Sequence, residues 1–390
     1  MRKIVLLITP FLLFASILSE LKIKELELDK IKSIKDSKET KYSWINPVII
    51  QYTYQKDNIQ NIKTTTKLFT VSINQPIFKT GAIYYSIKYA KASKKYNLNR
   101  IELQKRELIK RAYELVYDYK IAMLNKKILE YKIKNAKIDV ERKKEAFLKG
   151  TGDSSQLDNA ILNLNSLKLS LEDIVSNIHQ IKYNFFDLSD LKIDEIKPPF
   201  FKIIQKDDYL NKNLELISQK NFKKIKNYLY KMQVGNQLLS ISVNGSWNYK
   251  NIKNSRNKDE QNYYTIGITA SLPIDINAKT RIEKTKIDYL KSGLLIKDKK
   301  RELLNTYFLI LSQIKTLENK LKVYDENIKI YDNLIKTTME SIKAGSATYE
   351  DLEIMENSKM AAVLNKRIIN YQIQKKLLTL YYKLVSFSNN

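Results

Sequence analysis

The sequence predicts a mixed, mostly helical fold, built twice over from two strands, a long helix, a turn and a returning helix. Three observations predict it. Two stretches of about 70 residues are almost free of glycine and proline and carry apolar residues at three- and four-residue intervals, as in Leu108, Ala112, Leu115 and Tyr119. Two pairs of segments alternate apolar and polar residues with the period of a half-buried strand. Landmarks then recur at nearly one offset, since Pro76 to Pro273 is 197 residues and Gly150 to Gly345 is 195.

Composition removes most chemistry. The 390 residues contain no cysteine and one histidine, His179, so disulfides, thiolate nucleophiles and histidine metal clusters are not expected. No glycine-rich phosphate loop is present. Neither a cofactor nor a metal is expected, and the chain does not read as an enzyme. The 69 Lys and Arg against 42 Asp and Glu give a net charge of +27. Only nine of the basic residues are Arg, and the lysines spread along the whole length. Nucleic-acid binding, which favours a clustered basic patch, is therefore not expected.

The elements follow in order. Met1, Arg2 and Lys3 precede an apolar run from Ile4 to Leu18, with polar sequence from Ser19 onward. That is the pattern of a secretory leader, placed at 1–19, and the run is short for a spanning helix. The first repeat is placed at 20–197 and the second at 198–390, with Pro198 and Pro199 at the joint. Weaker helices, Leu21 to Lys41 and Asp207 to Met232, precede the strand pairs. The first pair is read as Trp44 to Gln55 and Lys67 to Ile77, the second as Gln237 to Lys250 and Tyr263 to Ile274. Polar segments, Lys56 to Thr66 and Asn251 to Asn262, are read as their connections. Ile241, Val243, Ile266 and Ile268 fall on one face, and Ser242, Asn244, Thr265 and Thr269 on the other. Each pair ends at a proline, and Gly81 opens the first long helix.

Geometry narrows the assembly. A helix of about 68 residues is roughly 100 Å long and must pack against other helices. Four strands with one apolar and one polar face are too few to close a transmembrane barrel, which needs at least about eight. Open edges are not tolerated in lipid, so three copies pooling their strands into a twelve-stranded barrel is the expected solution. Tyr52, Tyr54, Trp247, Tyr249, Tyr263 and Tyr264 suit an interfacial girdle.

At this point the chain resembles the TolC-like outer-membrane efflux protein family. The resemblance rests on Ser72-Ile73-Asn74-Gln75-Pro76-Ile77-Phe78-Lys79-Thr80-Gly81, on the second-copy Ala270-Ser271-Leu272-Pro273-Ile274, and on the turn Gly345-Ser346-Ala347-Thr348-Tyr349-Glu350-Asp351-Leu352. Gly150 to Leu157 is the weaker first copy of that turn. Asp275, Ala278, Gln156 and Ile354 depart from the family pattern. The resemblance implies a homotrimer in the outer membrane, a transmembrane β-barrel continued by a periplasmic α-helical barrel. It implies a passive duct for a tripartite efflux or type I secretion system, with a periplasmic adaptor and an inner-membrane transporter as partners. Asp351, with Glu350 and Glu353, becomes a candidate for the periplasmic gate. Gly150, Thr151, Gly152 and Asp153, with Gly345, Ser346, Ala347 and Thr348, become candidate adaptor-docking tips. Pro76, Gly81 and Pro273 mark the strand-to-helix junctions. The competing expectation is a periplasmic coiled-coil adaptor or spacer without a membrane barrel. An adaptor needs a lipoyl-like β-domain beside one helical hairpin, whereas this chain shows two hairpins.

Overall fold

A computed structural model describes residues 17–59, 62–254 and 257–385. The expected leader therefore lies outside the described residues, apart from Ile17, Leu18 and Ser19, which are buried. Helix α1 (Glu20–Tyr42) leads to strands β1 (Ile49–Ile59) and β2 (Ile62–Lys79). Helices α2 (Ala82–Leu148) and α3 (Ser154–Phe186) follow. The same succession returns as α4 (Lys206–Asn211) and α5 (Leu214–Asn236), β3 (Ser240–Asn254), β4 (Lys258–Ser271), α6 (Ala278–Lys343) and α7 (Tyr349–Tyr381). No described helix is long and apolar enough to cross a membrane.

The strands outrun their expected ends. The segments read as connections are themselves strand, because β1 pairs with β2 as far as Ile59↔Ile62 and β3 with β4 as far as Lys253↔Lys258. Strand β2 also passes through Pro76 to Lys79, with the register shifting between Pro76 and Phe78. A bulge is where a strand accommodates a proline. At their other ends three strands fall short: β1 starts at Ile49 rather than Trp44, β3 at Ser240 rather than Gln237, and β4 stops at Ser271 rather than Ile274, while the helix expected at Asp207 to Met232 is split at Lys212 and Asn213 into α4 and α5.

The chain divides into two compact units interleaved in sequence. The sheet unit holds residues 27–102 and 215–301. Its four strands form one antiparallel sheet in the order β1-β2-β3-β4. All four strand-to-helix junctions lie at the same end of this sheet, since β1 and β3 begin there and β2 and β4 finish there. Thr80 ties them together, its N–H and its hydroxyl both donating to the Leu239 carbonyl. The end of α5 lies so close to the start of α2 that a Cβ on Gly235 would stand 2.7 Å from the Thr80 carbonyl oxygen. Only glycine permits that approach.

The helical unit holds residues up to 26, 103–214 and 302–390. Its core is the facing stripes of helices. Val116, Tyr117, Leu378 and Leu380 are fully buried, and Ile128, Leu364 and Ile368 form a further cluster. Such heptad-like stripes fix contact but leave register open. Polar bridges close that gap: Lys375 grips both Asp118 oxygens at 2.7 Å, and the Asn357 side-chain amide donates to Asn135 Oδ1 at 2.8 Å. The segment between α3 and α4 is pinned to the same bundle. Tyr117 donates to the Pro199 carbonyl, and Tyr119 donates to Asp194. Burial and the neighbouring Asp194 carboxylate push the Tyr119 phenol up to about 12.

Candidate functional site

The two helix-reversing turns are built alike. Gly150 has φ +73° and Gly345 has φ +72°, a left-handed conformation that costs glycine nothing. In the first turn the Gly150 N–H bonds to the Phe147 carbonyl and the Thr151 N–H to that of Ala146. In the second, Gly345 bonds to Ile342 and Ser346 to Ser341. This paired pattern satisfies the last carbonyls of a helix. Gly152 and Ala347 then lead into the returning helices.

The turns differ in how the next helix starts. Asp153 caps α3 with one bond, accepting from the Ser155 N–H at 3.1 Å. Thr348 and Asp351 cap α7 reciprocally: the Asp351 N–H donates to the Thr348 hydroxyl oxygen, and the Thr348 N–H donates to Asp351 Oδ2 at 2.9 Å. Arg142, near the end of α2, joins this box from the other repeat. Its Nη1 lies 2.8 Å from Asp351 Oδ1, its Nε 3.1 Å from Glu350 Oε2, and its Nη2 donates to the Thr348 hydroxyl oxygen at 3.0 Å. The Thr348 N–H and hydroxyl, with Arg142 beside them, hold the Asp351 carboxyl below its ordinary value. Of the three acidic candidates, Asp351 and Glu350 are thus engaged within the chain. Glu353 is exposed and has no hydrogen bond or ion pair among the described residues. Sequence reasoning missed Arg142, because it stands in one repeat and acts on the other.

The junction residues sit where the chain changes element. Pro76 precedes the bulge in β2, Gly81 (φ +78°) turns the chain into α2, and Pro273 stands two residues beyond Ser271, where β4 ends. Beyond Pro273, Ile274 and Ile276 are 97% and 98% exposed.

Strand register sorts the sheet into two faces. Trp247 lies opposite Val71 and Tyr264, Gly245 opposite Ile73 and Ile266, and Val243 opposite Ile268. Ile241 lies opposite Phe78 and Ala270. Ile50 and Tyr52 extend this apolar face through Val71 and Phe69. Phe69 meets Trp247 edge to face at 5.9 Å. The other face is hydroxyl and amide. Thr70 lies opposite Asn248 and donates to its side chain at 2.9 Å, and Asn244 donates to Thr269 at 2.6 Å. Ile266 and Ile268 remain 76% and 75% exposed, which water alone would penalise. Within the chain β1 and β4 each keep one unpaired edge.

Comparison with known proteins agrees with this geometry. Residues 226–384, spanning β3 to α7, match the family described as "Outer membrane efflux protein". No curated protein matches by sequence. Among solved structures, the outer membrane protein VceC of Vibrio cholerae is similar at TM-score 0.76 and 9% identity, over 94% of each chain. The Campylobacter jejuni CmeC outer membrane channel is similar at TM-score 0.74 and 14% identity, over 96% of this chain and 85% of that one. The open-state MtrE outer membrane channel of Neisseria gonorrhoeae is similar at 0.67 and 12%, over 93% and 86%. Residues 226–384 are thus similar in sequence to the outer membrane efflux protein family, and nearly the whole chain shares the fold of these solved channels.

Proposed function

We propose that the protein is the outer-membrane duct of a tripartite efflux or type I secretion system. Three copies pool their strands, β4 of one copy pairing with β1 of the next, so that twelve strands close without an edge. The observation that carries this reading is the height of the apolar face. Counting Leu239, just ahead of the strand, the face runs ten residues to Tyr249 on β3. At about 3.3 Å per residue and a tilt of about 40°, that is roughly 25 Å, the height of an outer-membrane barrel's apolar band. The hydroxyl and amide face then lines the passage.

In this reading the chain consists of a leader at 1–19 and repeats at 20–197 and 198–390. The turns at Gly150 to Asp153 and Gly345 to Thr348 meet the periplasmic adaptor, which links the duct to an inner-membrane transporter. The duct conducts passively. Arg142 keeps Asp351 and Glu350 in place at the tip, and Glu353 supplies the free carboxylate at the gate. Membrane fractionation and planar-bilayer recording test the reading. A heat-sensitive trimer in the outer-membrane fraction, conducting in bilayers, is the expected result. Recovery in periplasmic extract without detergent would sink it. For the gate, Glu353→Gln should relieve block by a trivalent cation added from the periplasmic side more than Asp351→Asn does. Equal relief would return the gate to Asp351.

A further inference from the structure

The charge is not shared evenly between the units. The sheet unit carries 32 Lys and Arg against 13 Asp and Glu, a net +19 of the chain's +27. The helical unit carries the remaining +8 in more residues. Part of the excess gathers where the strands become helices. Lys79 closes β2, Lys279 and Lys284 stand in the first two turns of α6, and Lys41, Lys88 and Lys231 lie near the corresponding ends of α1, α2 and α5.

Three of these lysines are seated on tyrosines. The Lys41 ammonium lies 4.7 Å from the Tyr42 ring centroid, that of Lys88 5.3 Å from Tyr84, and that of Lys231 5.2 Å from Tyr85. Tyr85 stacks in turn on Tyr228, and Ser37 of α1 donates to the Ala90 carbonyl of α2, so the three helices are bound together at this level. Lys88 is seven residues beyond Gly81, about 10 Å along a helix. Lys231 is five residues before the end of α5, about 8 Å. Both therefore fall just beyond the apolar face, whose last level is Leu239 and Leu272. A bilayer's headgroup layer extends about 5–7 Å beyond the hydrocarbon, ending within about one helical turn of these positions. Tyrosine suits that layer, and lysine stems carry their charge back toward it.

We propose that this Tyr–Lys collar binds the phosphate headgroups of anionic glycerophospholipids in the periplasmic leaflet, phosphatidylglycerol being the simplest. The proposal rests on the duct reading, because it needs the apolar face in a membrane. Each lysine near an anionic surface contributes roughly a fivefold preference, so three contribute about a hundredfold.

The test uses the full-length trimer in nanodiscs of phosphatidylcholine and phosphatidylglycerol, with retained lipid counted by native mass spectrometry after delipidation. Wild type should retain phosphatidylglycerol strongly over phosphatidylcholine. The triple variant Lys41→Gln, Lys88→Gln, Lys231→Gln should lose most of that preference. A control triple in the helical unit, Lys168→Gln, Lys322→Gln, Lys336→Gln, should keep it. Inorganic phosphate at the same concentration should not displace the lipid, and displacement would mean a free-phosphate site and overturn the proposal. Retention of both lipids alike, equal loss in both triples, or preference for lipopolysaccharide alone would also overturn it. A trimer that conducts yet ignores lipid charge sinks this inference and leaves the duct standing. A chain that never enters the bilayer sinks both.

Discussion

The sheet unit and the helical unit solve the same problem, a long apolar stripe, in opposite ways. The helical unit turns its stripes inward, so that Tyr117, Leu378 and Leu380 are fully buried. It then uses Asp118–Lys375, Asn135–Asn357 and Arg142–Asp351 to choose among registers that apolar packing leaves nearly equal. The sheet unit turns its stripe outward, leaving Ile266, Ile268 and Tyr264 about three-quarters exposed. Its register comes from the strand ladder and needs no such bridges. The difference is that one unit uses an apolar stripe to pack helix on helix, while the other leaves its stripe unpacked along one sheet face. What decides is the solvent each face meets.

The sharpest way to break this comparison is to damage each unit by its own rule. Leu378→Ala in the helical unit should cost about 2–5 kcal/mol, the usual range for emptying a packed site, read as a lowered midpoint in denaturant. Val243→Lys, on the apolar face of the sheet, should cost about 2–4 kcal/mol in a membrane and abolish the trimer band on a seminative gel. Asn244→Lys, one residue away, should assemble normally. Equal assembly of the two would mean that the faces are not distinguished by lipid.

Smaller effects sharpen the contrast between the two turns. Thr348→Ala removes the reciprocal cap and one Arg142 contact, and should cost about 1 kcal/mol, seen as faster amide exchange in the first turn of α7. Asp153→Ala removes a single cap bond and should cost less. The smallest effect concerns acid. The Asp351 carboxyl titrates below its ordinary value in the fold, so its contribution is present above that ordinary value and disappears only as pH falls through its own lower one. The carboxyl carbon resonance of Asp351 should therefore still report the ionised form at a pH where an aspartate in an unstructured peptide has begun to protonate. Coincident titration would mean that the clasp does not form in solution.

The faces of the sheet were legible because period two writes apolar and polar residues into separate columns, as at Ile241 to Trp247. The outer arms of the strands were not, because Lys56, Asp57, Lys253 and Lys258 lie beyond the apolar band, and a strand polar on both sides has no such column. The helix turns announced themselves through Gly150 and Gly345. The residue that clasps the second turn did not, since nothing local marks Arg142 as the partner of a helix start some 200 residues away. The charge asymmetry was hidden for a simpler reason. The two units alternate along the chain, so lysines that look evenly spread in sequence collect in one of them.

One pairing sets an order of events. Strands β2 and β3 are neighbours in the sheet, yet Ser72 meets Ser246, 174 positions later. The hairpin β1–β2 therefore has to wait while two long helices are delivered before its second edge is covered. Contacts this distant form slowly, and an isolated hairpin is marginal in water. For that interval the hairpin carries Ile50, Tyr52, Phe69 and Val71 on one side and a bare row of amides along its rim. Completion of the sheet is thus paced by the arrival of the second half of the chain.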